Sequence, residues 1–250
     1  MKPQVSFVLP CWNAAFVINQ TIDSFFEQSN ENFEVIIVDD GSSDKTIEII
    51  NDIDDDRFKI INLRCRHGAG MARNIGNMEA HTPYICVTDC GDVYYENKVQ
   101  TVINYFKDNP DIDIMCSATD SLSGDECITP RVFKGRHGEK LGFEHPGVSY
   151  RKQVVEQIKY RTTSLHTDQY DAFFNEAALA GFKFGVYKLP LSAKCTFNNY
   201  TGGRNLDKAL LVKANIYREF GITLPDWLIE HERNMKCQNK MKLQPPKTKS

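Results

Sequence analysis

No stretch of this chain stays apolar long enough to span a bilayer. The first apolar run, Val5 to Leu9, stops at Pro10 and is also too short for the core of a secretory leader. A basic surplus is missing as well: 30 Lys and Arg stand against 33 Asp and Glu, a formal net charge of −3, which argues against a chain devoted to nucleic acid. The eight cysteines form no Cys-x-x-Cys pair and no metal-finger spacing, so they read as reduced thiols of a cytoplasmic protein. With 15 Gly and 10 Pro among 250 residues, the chain is neither fibrous nor of low complexity, and it carries no internal repeat. The sequon at Asn199-Tyr200-Thr201 therefore reads as chance.

What is present is an ordinary globular composition, 41% hydrophobic and 25% charged, with enough apolar residues for a sizeable core. Val5 to Leu9 reads as a buried strand ended by Pro10, after which Asn13 is placed to cap a helix with Ile18, Ile22, Phe25 and Phe26 on one face. The unit repeats: Glu34 to Val38 is a near-continuous apolar strand, and Ser43 or Asp44 can cap a helix carrying Ile47, Ile50 and Ile53. Phe58 to Leu63 is the third strand. Gly68-Ala69-Gly70 then opens a helix with Met71, Ile75 and Met78 on its apolar stripe, and Tyr84 to Thr88 is the fourth strand. Strands apolar throughout and alternating with helices mean a doubly wound, mostly parallel α/β sheet covered on both faces. Beyond it, helices are expected near 96–107, 168–180 and 206–220, strands at 112–117 and 184–189, and loop or short antiparallel strand at 119–147.

Polar residues of one kind follow the strands: Cys11-Trp12-Asn13, Asp39-Asp40-Gly41-Ser42-Ser43-Asp44, and Asp89-Cys90-Gly91-Asp92. In a parallel sheet these turns share the ligand-binding edge. Carboxylates there can accept from a nucleobase imide or ribose hydroxyls, and a pair can hold a divalent cation against a diphosphate. Any single turn of Asp, Gly and Ser reads first as an ordinary strand-to-helix connection; three on one edge shift the balance to a site. Arg66-His67-Gly68-Ala69-Gly70-Met71-Ala72-Arg73 adds a helix N-terminus suited to an anion, with Arg73 off the apolar stripe and free to reach it. Asn74, beside that stripe, reads as a hydrogen-bonded amide fixing the helix to a neighbouring loop.

Four motifs carry a resemblance: Val5 to Asn13, Val35 to Asp44, Gly70-Met71-Ala72-Arg73-Asn74-Ile75-Gly76, and Tyr84 to Asp92. In their order and spacing they resemble the family 2 glycosyltransferases of GT-A fold, over about the first two fifths of the chain. The resemblance implies a nucleotide-sugar site built from Pro10, Trp12, Asp40, Gly70, Arg73 and Asp89, with Trp12 near the nucleotide, Asp40 on the base and Arg73 near the diphosphate. It implies a divalent cation, Mn2+ or Mg2+, held through Asp89 and Asp92. The usual Asp-x-Asp-Asp pattern is broken here, since Gly91 aligns with the usual ligand. Either a turn eased by glycine at positive φ brings Asp92 to the metal, or metal binds weakly or not at all.

Family members invert the sugar by direct displacement, with an Asp at a helix start as base. His166-Thr167-Asp168-Gln169-Tyr170-Asp171, running to Gly181-Phe182, resembles that segment, so Asp168 is the first choice of base and Asp171 the second; capping a helix accounts for either one alone. Subsidiary candidates are His67 on the phosphate side, His166 as a metal ligand or acceptor contact, and Arg204 for the diphosphate. The implied organisation is a nucleotide-sugar-binding half at 1–117, an acceptor-side half of the same domain at 118–230, and a basic tail at 231–250. The implied partners are a nucleoside-diphosphate sugar, most often UDP-linked, and a saccharide, lipid-linked or protein acceptor. The tail, with six Lys or Arg against one Glu, suits peripheral contact with anionic lipid or simple solvation. An inactive nucleotide-binding relative and a nucleotidyltransferase are the competing readings. The latter would want a glycine-rich basic stretch where Pro10-Cys11-Trp12-Asn13 stands.

Overall fold

The computed structural model describes residues 2–121, 127–128, 131–135, 138–162 and 168–194, and for 121–142 and 168–171 the backbone only. In chain order the elements are β1 (Val5–Cys11), α1 (Ile18–Phe26), β2 (Phe33–Asp39), α2 (Thr46–Asn51), β3 (Phe58–Asn62), α3 (Ala69–Glu79), β4 (Tyr84–Val87) and β5 (Val93–Tyr94). They continue with α4 (Lys98–Asp108), β6 (Ile114–Ser121), β7 (Cys127–Ile128), β8 (Arg131–Gly135), β9 (Gly138–Gly142), a 3-10 turn at His145–Gly147, β10 (Val148–Arg151), α5 (Lys152–Gln157), α6 (Asp168–Leu179) and β11 (Phe184–Lys194). The expected helix at 206–220, the loop with Arg204 and the basic tail lie outside the described residues.

The main sheet runs in the order β3-β2-β1-β4-β10-β6-β11-β5. Its first four strands are mutually parallel. β10 reverses the direction, pairing antiparallel with both β4 and β6, and β11 is antiparallel to β5. The sheet is therefore mixed beyond β4, and β10 and α5, over 148–157, are elements the sequence pattern did not announce. β7 pairs antiparallel with β6, and β8 pairs antiparallel with β9.

β1 is buried at every position, so successive residues feed opposite layers. Phe7 packs with Phe25 of α1 at a centroid separation of 4.7 Å, and Phe25 stacks on Tyr94 at 5.6 Å. Val8 belongs to the other layer, with Ile36, Val38, Ala72, Ile85, Val87, Tyr150, Val154, Tyr160 and Phe173. Pro10 does not end the strand; it pairs with Val38. A strand residue's N–H and C=O point to the same side, and the Pro10 carbonyl accepts from the Cys90 thiol beyond the end of β4, so no ladder partner is lost where proline lacks its N–H.

Helix α3 departs most from expectation. Its buried residues are Gly70, Ala72, Arg73, Gly76 and Asn77, while Met78 is 65% exposed. Gly76 explains the rotation: a Cβ there would stand 2.4 Å from Val8 Cγ1 and 3.4 Å from Val38 Cγ2. The helix lies directly on β1 and β2 through its small residues; of the expected stripe, Ile75 still packs against the core from the side while Met78 is left exposed. Arg73 is turned inward as a result.

Candidate functional site

The turns after β1 and β2 brace each other. Asn13 adopts φ +48° and does not cap α1, whose first residue is Ile18. Its side-chain oxygen accepts the Ser43 N–H at 2.8 Å, its own N–H donates to Ser42 Oγ at 2.8 Å, and the Ala14 N–H donates to Thr46 Oγ1 at 2.8 Å. Asp44 does serve the start of α2, accepting the Thr46 N–H at 3.0 Å. Asp39 is fully buried and accepts from both the hydroxyl and the N–H of Ser42.

Asp40 holds the third turn in place. Its two carboxylate oxygens accept the N–H groups of His67 and Gly68, both at 2.7 Å. A carboxylate has about four acceptor sites, so these bonds leave capacity for a ligand donor. Gly41, at φ +72°, is obligatory: a Cβ there would come within 2.8 Å of the Cys65 backbone. The same approach brings the Arg66 guanidinium over the ring of Trp12 at 3.6 Å, and Trp12 remains 41% exposed, a flat cation-capped platform at the mouth of the edge. Gly68, at φ +94°, starts α3, and Gly70 is buried in its first turn.

Arg73, expected to be free for an anion, is instead 3% exposed and paired with Asp89. The second Asp89 oxygen lies 3.0 Å from His145 Nδ1. Burial works against the charged form of Asp89, but Arg73 and His145 outweigh it and hold the carboxyl far below the usual carboxylate range. Burial also pushes His145 below its ordinary value, opposed by Asp89 and reinforced by Arg73 and Lys194. The Asp89 N–H donates to the Tyr94 hydroxyl at 2.9 Å, and that hydroxyl is pushed up by burial and by Asp92 and Asp89. Asn74 does what its position suggested: its amide exchanges two bonds with the Tyr160 backbone, at 2.8 and 2.9 Å.

Asp92 and Gly91 decide whether the acidic turn fits a divalent cation. Gly91 takes φ +93°, as a glycine-eased turn requires, but the Gln20 amide and the Thr21 hydroxyl hold its backbone inward. Asp92 is 4% exposed, near enough to Lys98 and Tyr94 to bias their protonation. Lys98 is itself fully buried and is pushed down by burial, with Cys86 and Asp92 pulling it back. Asp89 gives one oxygen to Arg73 and the other to His145. Hard cations need several oxygen ligands converging on one open point; among the described residues no group of three or more His, Cys, Asp or Glu does so, and Asp89 and Asp92 by themselves do not supply them.

Asp168 and Asp171 stand in the first turn of α6, their side chains outside the described residues, as is His166. The helix is nevertheless fixed beside the acidic turn: Phe173 stacks on Tyr160 at 4.2 Å, and Phe174 meets His145 edge-on at 6.2 Å. His145, Tyr160, Lys98 and Tyr94 belong to this candidate site and were not singled out by the sequence. His145-Pro146-Gly147 was the available signal, a histidine ahead of a turn dipeptide, and only the partner strands give it meaning.

An uncharacterized glycosyltransferase of Haemophilus influenzae is 39% identical over 109 residues, 43% of this chain and 44% of that protein. The match thus spans less than half of that relative. S. aureus TarS in complex with UDP-GlcNAc has a similar structure, with a TM-score of 0.66 at 17% identity over 86% of this chain and 66% of that one. Mannosyltransferase PcManGT from Pyrobaculum calidifontis, in complex with GDP-Man and Mn2+, gives 0.62 at 13% identity over 86% and 65%. At these identities the likeness is one of fold, GT-A. Residues 6–189 match the glycosyl transferase family 2, and they contain every turn of the edge just described. The chain belongs to glycosyl transferase family 2.

Proposed function

We propose that this chain transfers a hexosyl or N-acetylhexosaminyl group from a nucleoside-diphosphate sugar, UDP-linked, to an acceptor hydroxyl with inversion. The observation that carries the reading is the joining of three turns at one sheet edge: Asp40 ties the β2 turn to the glycine turn of α3, and Arg73 on that helix ties it to Asp89 after β4. The Trp12–Arg66 platform suits a nucleobase at the mouth of the edge. The start of α3 offers backbone N–H groups that the helix itself does not use, the right partners for a diphosphate. TarS, which shares the fold, is described with UDP-GlcNAc.

Displacement requires a base to remove the acceptor proton as the hydroxyl attacks the anomeric carbon, and stabilisation of the departing diphosphate. The start of α6 supplies the base, Asp168 ahead of Asp171, and the start of α3 with Arg66 meets the leaving group. The test measures release of nucleoside diphosphate from a panel of UDP- and GDP-sugars. Turnover is expected with a UDP-sugar; absence of turnover and hydrolysis across the panel refutes the reading. Asp168→Asn should abolish transfer while leaving UDP affinity intact, and the same result for Asp171→Asn alone would reassign the base.

A further inference from the structure

Of Asp89, Arg73 and His145, the Asp89 carboxylate is the one that reaches outward: its side chain is 29% exposed, against 3% for Arg73 and 8% for His145. Arg73 takes one oxygen and His145 Nδ1 the other, at 3.0 Å, so the carboxylate plane is fixed from behind on both sides. Beside an ionised carboxylate the Nδ1 atom carries the proton, and Nε2 is left to accept the Tyr160 O–H at 3.4 Å. Tyr160 is in turn held by Asn74 of α3, the helix that carries Arg73.

The turn that presents His145 is anchored independently. Lys98 Nζ donates to the Pro146 carbonyl at 3.0 Å, and Ser117 Oγ donates to the Gly147 carbonyl at 2.9 Å. Gly147 admits no side chain, since a Cβ would stand 2.5 Å from the Ser117 carbonyl oxygen. Edge-on contacts with Tyr160 and Phe174 set the plane of the imidazole. A ring held this rigidly against one carboxylate oxygen imposes an orientation rather than following one.

We infer that His145 is a positioning residue for sugar transfer, setting the Asp89 carboxylate for the donor through its Nδ1–H. The inference rests on the glycosyl-transfer reading. Two isosteres separate its roles: the amide nitrogen of Asn falls where Nδ1 stands, whereas that of Gln falls where Nε2 stands. The experiment compares His145→Asn, His145→Gln and His145→Ala by UDP release from the donor the wild type turns over, UDP binding by calorimetry, and thermal melting. His145→Asn should stay near the wild-type rate, and His145→Gln should lose about 10- to 100-fold in kcat, the usual loss when a group orienting a site ligand is removed. UDP affinity should change little in either. If His145→Ala does not fold, the Asn and Gln pair still decides. Equal rates for Asn and Gln, or a wild-type kcat for Ala, overturn the inference while leaving glycosyl transfer in place. A wild type that turns over no donor overturns glycosyl transfer itself.

Discussion

Replacing Gly76 by Ala tests the claim that small residues, not the methionine stripe, seat α3 and so place Arg73. In an unconstrained helix the change would stabilise by about 1 kcal/mol, because Ala is the better helix former. Here the new methyl would stand 2.4 Å from Val8 Cγ1 and 3.4 Å from Val38 Cγ2. Val8 cannot yield cheaply: it is β-branched, 3% exposed and fixed between β2 and β4. Overpacking a filled core costs about 1–3 kcal/mol, and this position belongs at the upper end, so the net expectation is a loss of roughly 1–2 kcal/mol after the helix gain is deducted. Urea unfolding followed by circular dichroism reads the loss directly. Val8→Ala in the same background removes the obstructing methyl, so the double variant should be more stable than the sum of the single effects by at least about 0.5 kcal/mol, the threshold for coupled neighbours. Gly76→Ala as stable as the parent, or strict additivity with Val8→Ala, would refute the packing argument. Donor affinity should fall along with stability, since any lift of α3 withdraws Arg73 from Asp89.

Arg73→Met should cost about 3–5 kcal/mol, the usual result of stripping one partner from a buried ion pair, measured by denaturant unfolding; a loss below 1 kcal/mol would show that Asp89 is satisfied without it. Asp89 has a folded-state pKa below its unfolded value of about 3.9. Its contribution is therefore fully present above that pH and is lost as pH falls through the depressed value, and Asp89→Asn should flatten the acid limb of the stability curve. Because the acidic turn offers no converging set of ligands among the described residues, donor turnover should be unchanged in excess EDTA; activity lost on chelation and restored by Mn2+ would refute the reading of the acidic turn.

The alternation of apolar strands with helices over the first ninety or so residues is a local pattern, and each strand lies within a few residues of where that pattern put it. The order of the turns was equally legible, because parallel strands joined by helices must deliver their carboxyl ends to one edge. Asn74 was read correctly for a local reason, its place beside the stripe of its own helix. What the pattern could not hold was anything settled by a partner far away in sequence. Gly76 sets the buried face of α3 because Val8 lies beneath it, 68 positions earlier (76 − 8), and hydrophobic periodicity is blind to a contact made by the absence of a side chain. Arg73 was expected to reach outward, and it is buried for the same reason. His145 carries only the weak signal of a histidine ahead of a turn; it joins the candidate site because antiparallel β10 lies in the sheet between β4 and β6 and brings its turn to Asp89. The sequence by itself determined the family, the fold and the edge at which the candidate site gathers, because these follow from local periodicity and motif order. Only the tertiary structure decided which of the converging charges neutralise one another, because that depends on which face each helix buries and which strand lies next to it.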